Sequence, residues 1–132
     1  MADHLHVTVI TPERRVLDAD ADAVVIPAHD GELGVLRDRA ALLCELGVGQ
    51  LRYSRAGQTQ RVFIDGGFAQ VLDNRVTVLS SRALPAEEVT PAIVSEAETT
   101  ARQPPGRDAD AQLESQRARR RWRTLQDIRL IR

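Results

Sequence analysis

Two glycine-punctuated apolar runs constrain this chain most. From Asp30 the first reads DGELGVLRDRAALLCELGVGQ, ending at Gln50, and Phe63 to Ser80 reads FIDGGFAQVLDNRVTVLS. Glycine inside strand-like sequence marks a bulge, a sharp bend or a close backbone approach. The glycines therefore read as positive φ or close backbone approach at strand ends. Gly31, Gly34, Gly47 and Gly49 do not make a Gly-x-Gly-x-x-Gly motif between a strand and a helix. No Ser stands in a Gly-x-Ser-x-Gly context, and no Cys–His pairing is visible. Punctuated strands without a reactive cluster suit a coupling or binding part better than an enzyme, and no catalytic residue is assigned.

The rest of the first 84 residues agrees. Leu5, Val7 and Val9 alternate with His4, His6 and Thr8, a period of two. Val24-Val25-Ile26 ends at Pro27, and His29-Asp30-Gly31 supplies a turn. Leu51–Ser54 and Thr59–Ile64 flank a hairpin loop, Arg55-Ala56-Gly57-Gln58, while Asp73-Asn74 tolerates positive φ between two further strands. Asp65-Gly66-Gly67 links the two hairpins. Short strands with turn signals this regular predict an antiparallel sandwich or barrel.

The pattern changes after Arg82. Leu84 to Glu88 reads as a boundary, so the expected division is 1–84 and 85–132. Thr90-Pro91 reads as an N-cap followed by proline at the first helical position, with Ile93, Ala97 and Ala101 at helical spacing and Glu96 and Glu98 early. Pro104-Pro105-Gly106 ends that helix, and Asp108 can cap a second one. Ala111, Ala118, Trp122 and Leu125 form a narrow stripe on the second helix, surrounded by Arg117, Arg119, Arg120, Arg121 and Arg123. The tail thus predicts an αα-hairpin with a thin apolar seam, weakly docked and mobile.

Charge is uneven. The net charge is −1, yet residues 102–132 hold nine arginines against four acids. All 18 basic residues are arginine, which excludes lysine-dependent chemistry such as a P-loop or a Schiff base. The arginine run reads either as a solvated helix face or as a docking surface for an acidic partner. Nucleic acid is disfavoured by the net charge and by the scarcity of aromatics, which make up 3% of the chain. His4 and His6 share a strand face but lack further metal ligands nearby in sequence, and His29 in its turn reads as a polar loop residue. The lone Cys44 excludes an internal disulfide and reads as a small buried hydrophobe. The opening MADHLHVTVI shows no secretory signal, and no apolar run approaches a membrane span. No metal and no cofactor is expected.

Together these pieces resemble the epsilon family of F-type ATP synthase subunits, called delta in mitochondria. The resemblance is carried by Thr11-Pro12-Glu13-Arg14, Gly31-Glu32-Leu33-Gly34-Val35-Leu36, Ala40-Ala41-Leu42-Leu43 with Leu46 and Gly49, Gly66-Gly67-Phe68, and Asn74 to Leu79. It implies a β-sandwich of about ten short, mostly antiparallel strands followed by a C-terminal α-helical hairpin. It also implies a non-catalytic rotor part. The sandwich would bind the gamma subunit and the ring of c subunits, with membrane contact only through the complex, on the cytoplasmic face of a bacterial inner membrane. The hairpin would be regulatory, meeting acidic beta-subunit loops of the alpha/beta hexamer through Arg117, Arg119, Arg120, Arg121 and Arg123. By position, Glu32, Arg37, Asp38 and Arg39 would face the c-ring. Here Arg37-Asp38-Arg39 stands where the family pattern has Pro-Gly-His. Thr90 and Ile93 replace the Asp and Arg of the ATP-binding segment some members carry, so specific ATP binding is not expected. The rival reading is a free-standing β-sandwich interaction module whose basic helix binds nucleic acid or an acidic protein.

Overall fold

A computed structural model describes residues 4–131. Eight strands come first: β1 Leu5–Ile10, β2 Arg15–Ala21, β3 Ala23–Ala28, β4 Gly31–Val35, β5 Leu42–Arg55, β6 Gln58–Leu72, β7 Arg75–Leu79 and β8 Ala83–Pro85. A 3₁₀ turn at Ala86–Glu88 leads to helices α1, Pro91–Ala101, and α2, Ala109–Ile131. The hydrogen-bonded order is β2-β1-β7-β6-β5-β3-β4, with β8 added to β6. All pairs are antiparallel except β1 with β7.

The strand count is eight because two strands do double duty. Expected as separate elements, the segments on either side of Asp65-Gly66-Gly67 are one 15-residue strand. The first part of β6, Val62–Ile64, pairs with β8, while Phe68–Leu72 pairs with β7. Its partner β5 runs 14 residues through Gly47 and Gly49. At the bend Gly66 and Gly67 take φ of 71° and 114°, a region side-chain-bearing residues rarely enter. The glycines therefore turn a strand within the ladder; they do not end it. Pro27 likewise lies inside β3, at a register shift against β5, where the missing N–H costs least. A Cβ on Gly49 would stand 2.7 Å from the Pro27 ring, so the pair Pro27–Gly49 is matched. The two tight turns behave as expected: Ala56 and Gly57, then Asp73 and Asn74, all have positive φ.

The bends fold the sheet on itself around one core. Leu5, Val7, Val9, Val24, Ile26, Leu51, Val62, Ile64, Val76 and Val78 interdigitate in it, each 2% exposed or less. Cys44 packs half-buried against this core, and burial pushes its thiol pKa up, which keeps it unreactive.

The helices form a second cluster. Phe63, from the first half of β6, points away from the sandwich core and packs with Val89, Leu125 and Ile128, all fully buried. Thr90 caps α1, its Oγ1 accepting from the Ile93 amide at 3.3 Å, and Asp108 caps α2, its Oδ1 accepting from the Ala111 amide at 2.7 Å. No acid lies in the first turn of α1; Glu96 and Glu98 sit too deep for the macrodipole to act on them. On α2 the docked stripe is Ala118, Thr124, Leu125 and Ile128, with Trp122 half-buried beside it and Ala111 near the loosely held N-terminal half.

Candidate interaction surfaces

Three surfaces stand out. In the sheet half formed by β1, β7 and the second part of β6, successive side chains alternate between core and solvent. Phe68 lies opposite Leu79, and Leu79 opposite Ile10. Directly paired residues share a face, so an apolar row crosses three strands; Leu43 lies diagonal to Phe68, and Leu72 lies diagonal to Leu43 beyond the Gln70–Thr77 pair. Phe68 is 56% exposed, Leu79 53%, Leu43 71% and Leu72 45%. The inner side of this half faces the sandwich core, and the helices pack on the first half of β6, around Phe63, away from this face. Four large apolar side chains this exposed on one face make it a candidate interaction site.

The second surface is the β4–β5 connection. Arg37, Asp38 and Arg39 are exposed, beside Leu36, which is 65% exposed. Asp38 has φ of 64°. Asp tolerates this left-handed backbone better than most residues. Its amide donates to Asn74 Oδ1 at 2.6 Å, and Asn74 Nδ2 donates back at 3.3 Å. The connection is thus tied to the β6–β7 turn, at the Leu72 end of the apolar face. Glu32 is exposed on β4 but not brought into this group; Arg52 donates to both its carboxylate oxygens, at 2.7 and 3.3 Å.

The third surface is α2. Arg117, Arg119, Arg120 and Arg123 are exposed. They border a groove of about 820 Å³ between α2 and the bends of β5 and β6, with His29 and Glu45 on the far wall. Arg121 departs from expectation. It turns into the docked seam, its Nε donating to both Asp65 oxygens at 3.0 and 3.1 Å and one terminal nitrogen to Glu114 at 2.8 Å. The sequence signal for this was present: residues 118, 121, 125 and 128 follow helical i, i+3, i+7 spacing, which also predicts the missed Ile128.

His4 and His6 take part in a polar cluster on the β1–β2 edge. Asp20 Oδ1 lies 2.8 Å from His6 Nδ1 and 3.2 Å from His4 Nε2, and Asp18 closes on His6 Nε2. Hydrogen bonds donated by the His6 ring to Asp20, then Asp18, raise the His6 pKa above its ordinary 6.5, and the same bonds lower both carboxylates. The signs are opposite. The raised histidine stabilises the fold below its unfolded pKa and loses that contribution as pH climbs through the folded value. The depressed carboxylates stabilise above their unfolded pKa and lose it as pH falls. The cluster's contribution is therefore greatest between the ordinary Asp and His values and declines above neutrality. Replacing His6 by Gln should flatten the stability profile between about pH 6 and 8. Urea titrations across that range check this, and a slope unchanged from wild type would refute it.

Among the described residues no group of three or more His, Cys, Asp or Glu is placed to hold a metal, and no helix is long and apolar enough to cross a membrane.

Comparison with known proteins follows the same line. The family model "ATP synthase, Delta/Epsilon chain, beta-sandwich domain" matches residues 4–86. The ATP synthase epsilon chain of Symbiobacterium thermophilum is 49% identical over 90 residues, covering 67% of this chain and 64% of that one. The epsilon chain of Rhodopirellula baltica is 52% identical over 79 residues, covering 60% of this chain and 62% of its own length. The chain thus spans a little under two thirds of the relatives it matches first. A chain of the Euglena gracilis mitochondrial ATP synthase assembly of OSCP, F1 and c-ring superposes with a TM-score of 0.74 at 23% identity, over 96% of this chain and 82% of that one. One of the Tetrahymena thermophila mitochondrial central stalk and c-ring does so with a TM-score of 0.69 at 16% identity, over 93% and 94%. These likenesses extend the shared fold through both helices. Because the sandwich-domain model spans residues 4–86, more than half of the sequence, the chain belongs to the ATP synthase delta/epsilon family.

Proposed function

We propose that this chain is a non-catalytic subunit of the rotating central stalk of an F-type ATP synthase, helping to couple proton flow to ATP synthesis. The carrying observation is the uncovered apolar face of Leu43, Phe68, Leu72 and Leu79 on a sandwich whose helices pack away from it, around Phe63. We assign that face to the gamma subunit. The adjoining Arg37-Asp38-Arg39 connection, with Glu32 farther along β4, is assigned to polar loops of the c-ring. The parts divide near residue 85: the sandwich holds the stalk, and the hairpin is regulatory. Arg117, Arg119, Arg120 and Arg123, exposed while the hairpin is docked, meet acidic loops of the beta subunits in the alpha/beta hexamer, and Arg121 joins them once released. The chain carries no nucleotide chemistry of its own and sits peripherally on the cytoplasmic face of a bacterial inner membrane, held there by the complex.

Truncation tests this reading. A complex carrying the chain without residues 89–132 should retain the subunit and hydrolyse ATP faster than the intact complex. Loss of the truncated chain from the complex would refute the division of labour. Retention with unchanged hydrolysis would refute the regulatory role of the hairpin.

A further inference from the structure

The five arginines between 117 and 123 on α2 are not equivalent. Four face solvent, whereas the Arg121 side chain is 25% exposed and its partner Asp65 15%. Asp65 is rigidly presented. It sits at the β6 bend, its amide donating to the Arg82 carbonyl at 3.0 Å and its own carbonyl accepting from Ser81 Oγ at 3.0 Å. Both of its carboxylate oxygens face one guanidinium nitrogen, and Glu114, two helical turns before Arg121, holds a second. The apolar seam around this pair is short: Ala118 one turn before it, Leu125 and Ile128 after it. An ion pair within so small a contact sets position and register: losing Arg121 leaves the Asp65 carboxylate mostly buried without its cation, and losing Asp65 leaves the guanidinium held only by Glu114 on its own helix.

We infer that Asp65 is an internal competitor for Arg121: the sandwich presents to this arginine the same carboxylate chemistry that an acidic partner surface would, so α2 yields Arg121 to a partner only by leaving the sandwich. The inference rests on the proposed meeting of α2 with acidic loops. It divides the basic run by task. The four exposed arginines are available for encounter while the hairpin is docked, and Arg121 reports release. Asp65 then acts as a positioning residue that sets how readily the hairpin leaves, without touching the partner itself.

Hydrogen exchange on the full chain, read at α2 amides, tests the pair directly. In Asp65→Asn these amides should exchange about tenfold faster or more, the size expected for a charge-assisted hydrogen bond. Amides of β1 and β7 serve as the control for global folding and should not change. Arg121→Gln, which also gives up the Glu114 contact, should accelerate exchange at least as much, and the double variant should add little to it, because the Asp65–Arg121 pair is already gone. Unchanged α2 exchange in Asp65→Asn, or full additivity in the double variant, would overturn the inference. Hydrolysis by the assembled complex separates it from the reading beneath it. Asp65→Asn should slow hydrolysis, and Arg121→Gln, released as well but lacking the partner contact, should not. Accelerated exchange with hydrolysis equal in all variants would uphold the internal pair and overturn the hairpin's regulatory role.

Discussion

Gly67→Ala should destabilise this protein by about 3 kcal/mol or more, and lower its melting temperature by about 10 °C. A Cβ at Gly67 would stand 1.9 Å from the Leu79 carbonyl oxygen and 2.9 Å from both the Leu79 carbonyl carbon and Ser80 Cα. These are backbone atoms of the neighbouring strand end and cannot swing aside. The φ of 114° adds strain for any residue with a side chain. Relief would require β6 to pull away from β7 at the point where Phe68 pairs with Leu79, the centre of the apolar face. Gly34 supplies the contrast. It sits in β4, where an added methyl would meet nothing within 4 Å, and its φ is not positive. Gly34→Ala should therefore change stability by less than about 0.5 kcal/mol. Urea unfolding of the two variants side by side decides the matter. Equal effects would show that the bend at Gly67 is not a close-packed necessity.

Leu125→Ala and Ile128→Ala should each cost about 2–5 kcal/mol of docking free energy, the usual range for emptying a fully buried aliphatic site. The cost falls on the hairpin, because the cluster around Phe63 and Val89 is separate from the sandwich core. Alpha-helical amides from Ala109 to Ile131 should then exchange about 30-fold faster or more, while strand amides of β1 and β7 keep their protection. Loss of protection in both regions together would mean that sandwich and hairpin fold as one cooperative unit. Arg102 over the Trp122 ring at 5.3 Å lies outside this cluster, and its removal should matter far less.

Sequence pattern and structure agree best where a local rule has a single physical solution. Asp73-Asn74 between two alternating runs can close only a tight hairpin, and both residues take positive φ. Thr90-Pro91 and Asp108 are caps for the same reason. The Gly66-Gly67 pair shows where local reading fails. Glycine permits a turn between strands or a bend within one, and only long-range pairing, β8 on one side and β7 on the other, selects the bend. Pro27 is similar, ending a strand by propensity and lying at a bulge in fact. The candidate contacts were partly legible. Exposure of Arg37, Asp38 and Arg39 followed from the turn, but the apolar row Ile10–Leu79–Phe68 depends on strand register across β1, β7 and β6, which no single segment encodes. Arg121 was obscured by its neighbours: a run of arginines looks uniform until helix phase assigns one of them to the seam.

The central claim is that the open face of the sandwich holds a rotor. Affinity isolation of the full chain from detergent-solubilised membranes tests it most directly, comparing wild type with a Phe68→Asp/Leu79→Asp double variant. Both replaced side chains point to solvent, so the variant should fold. Wild type should bring down the gamma subunit, the c-ring and the catalytic hexamer, and the double variant should bring down none of them. Equal recovery by both chains, or recovery of no synthase subunit by the wild type, would contradict the account.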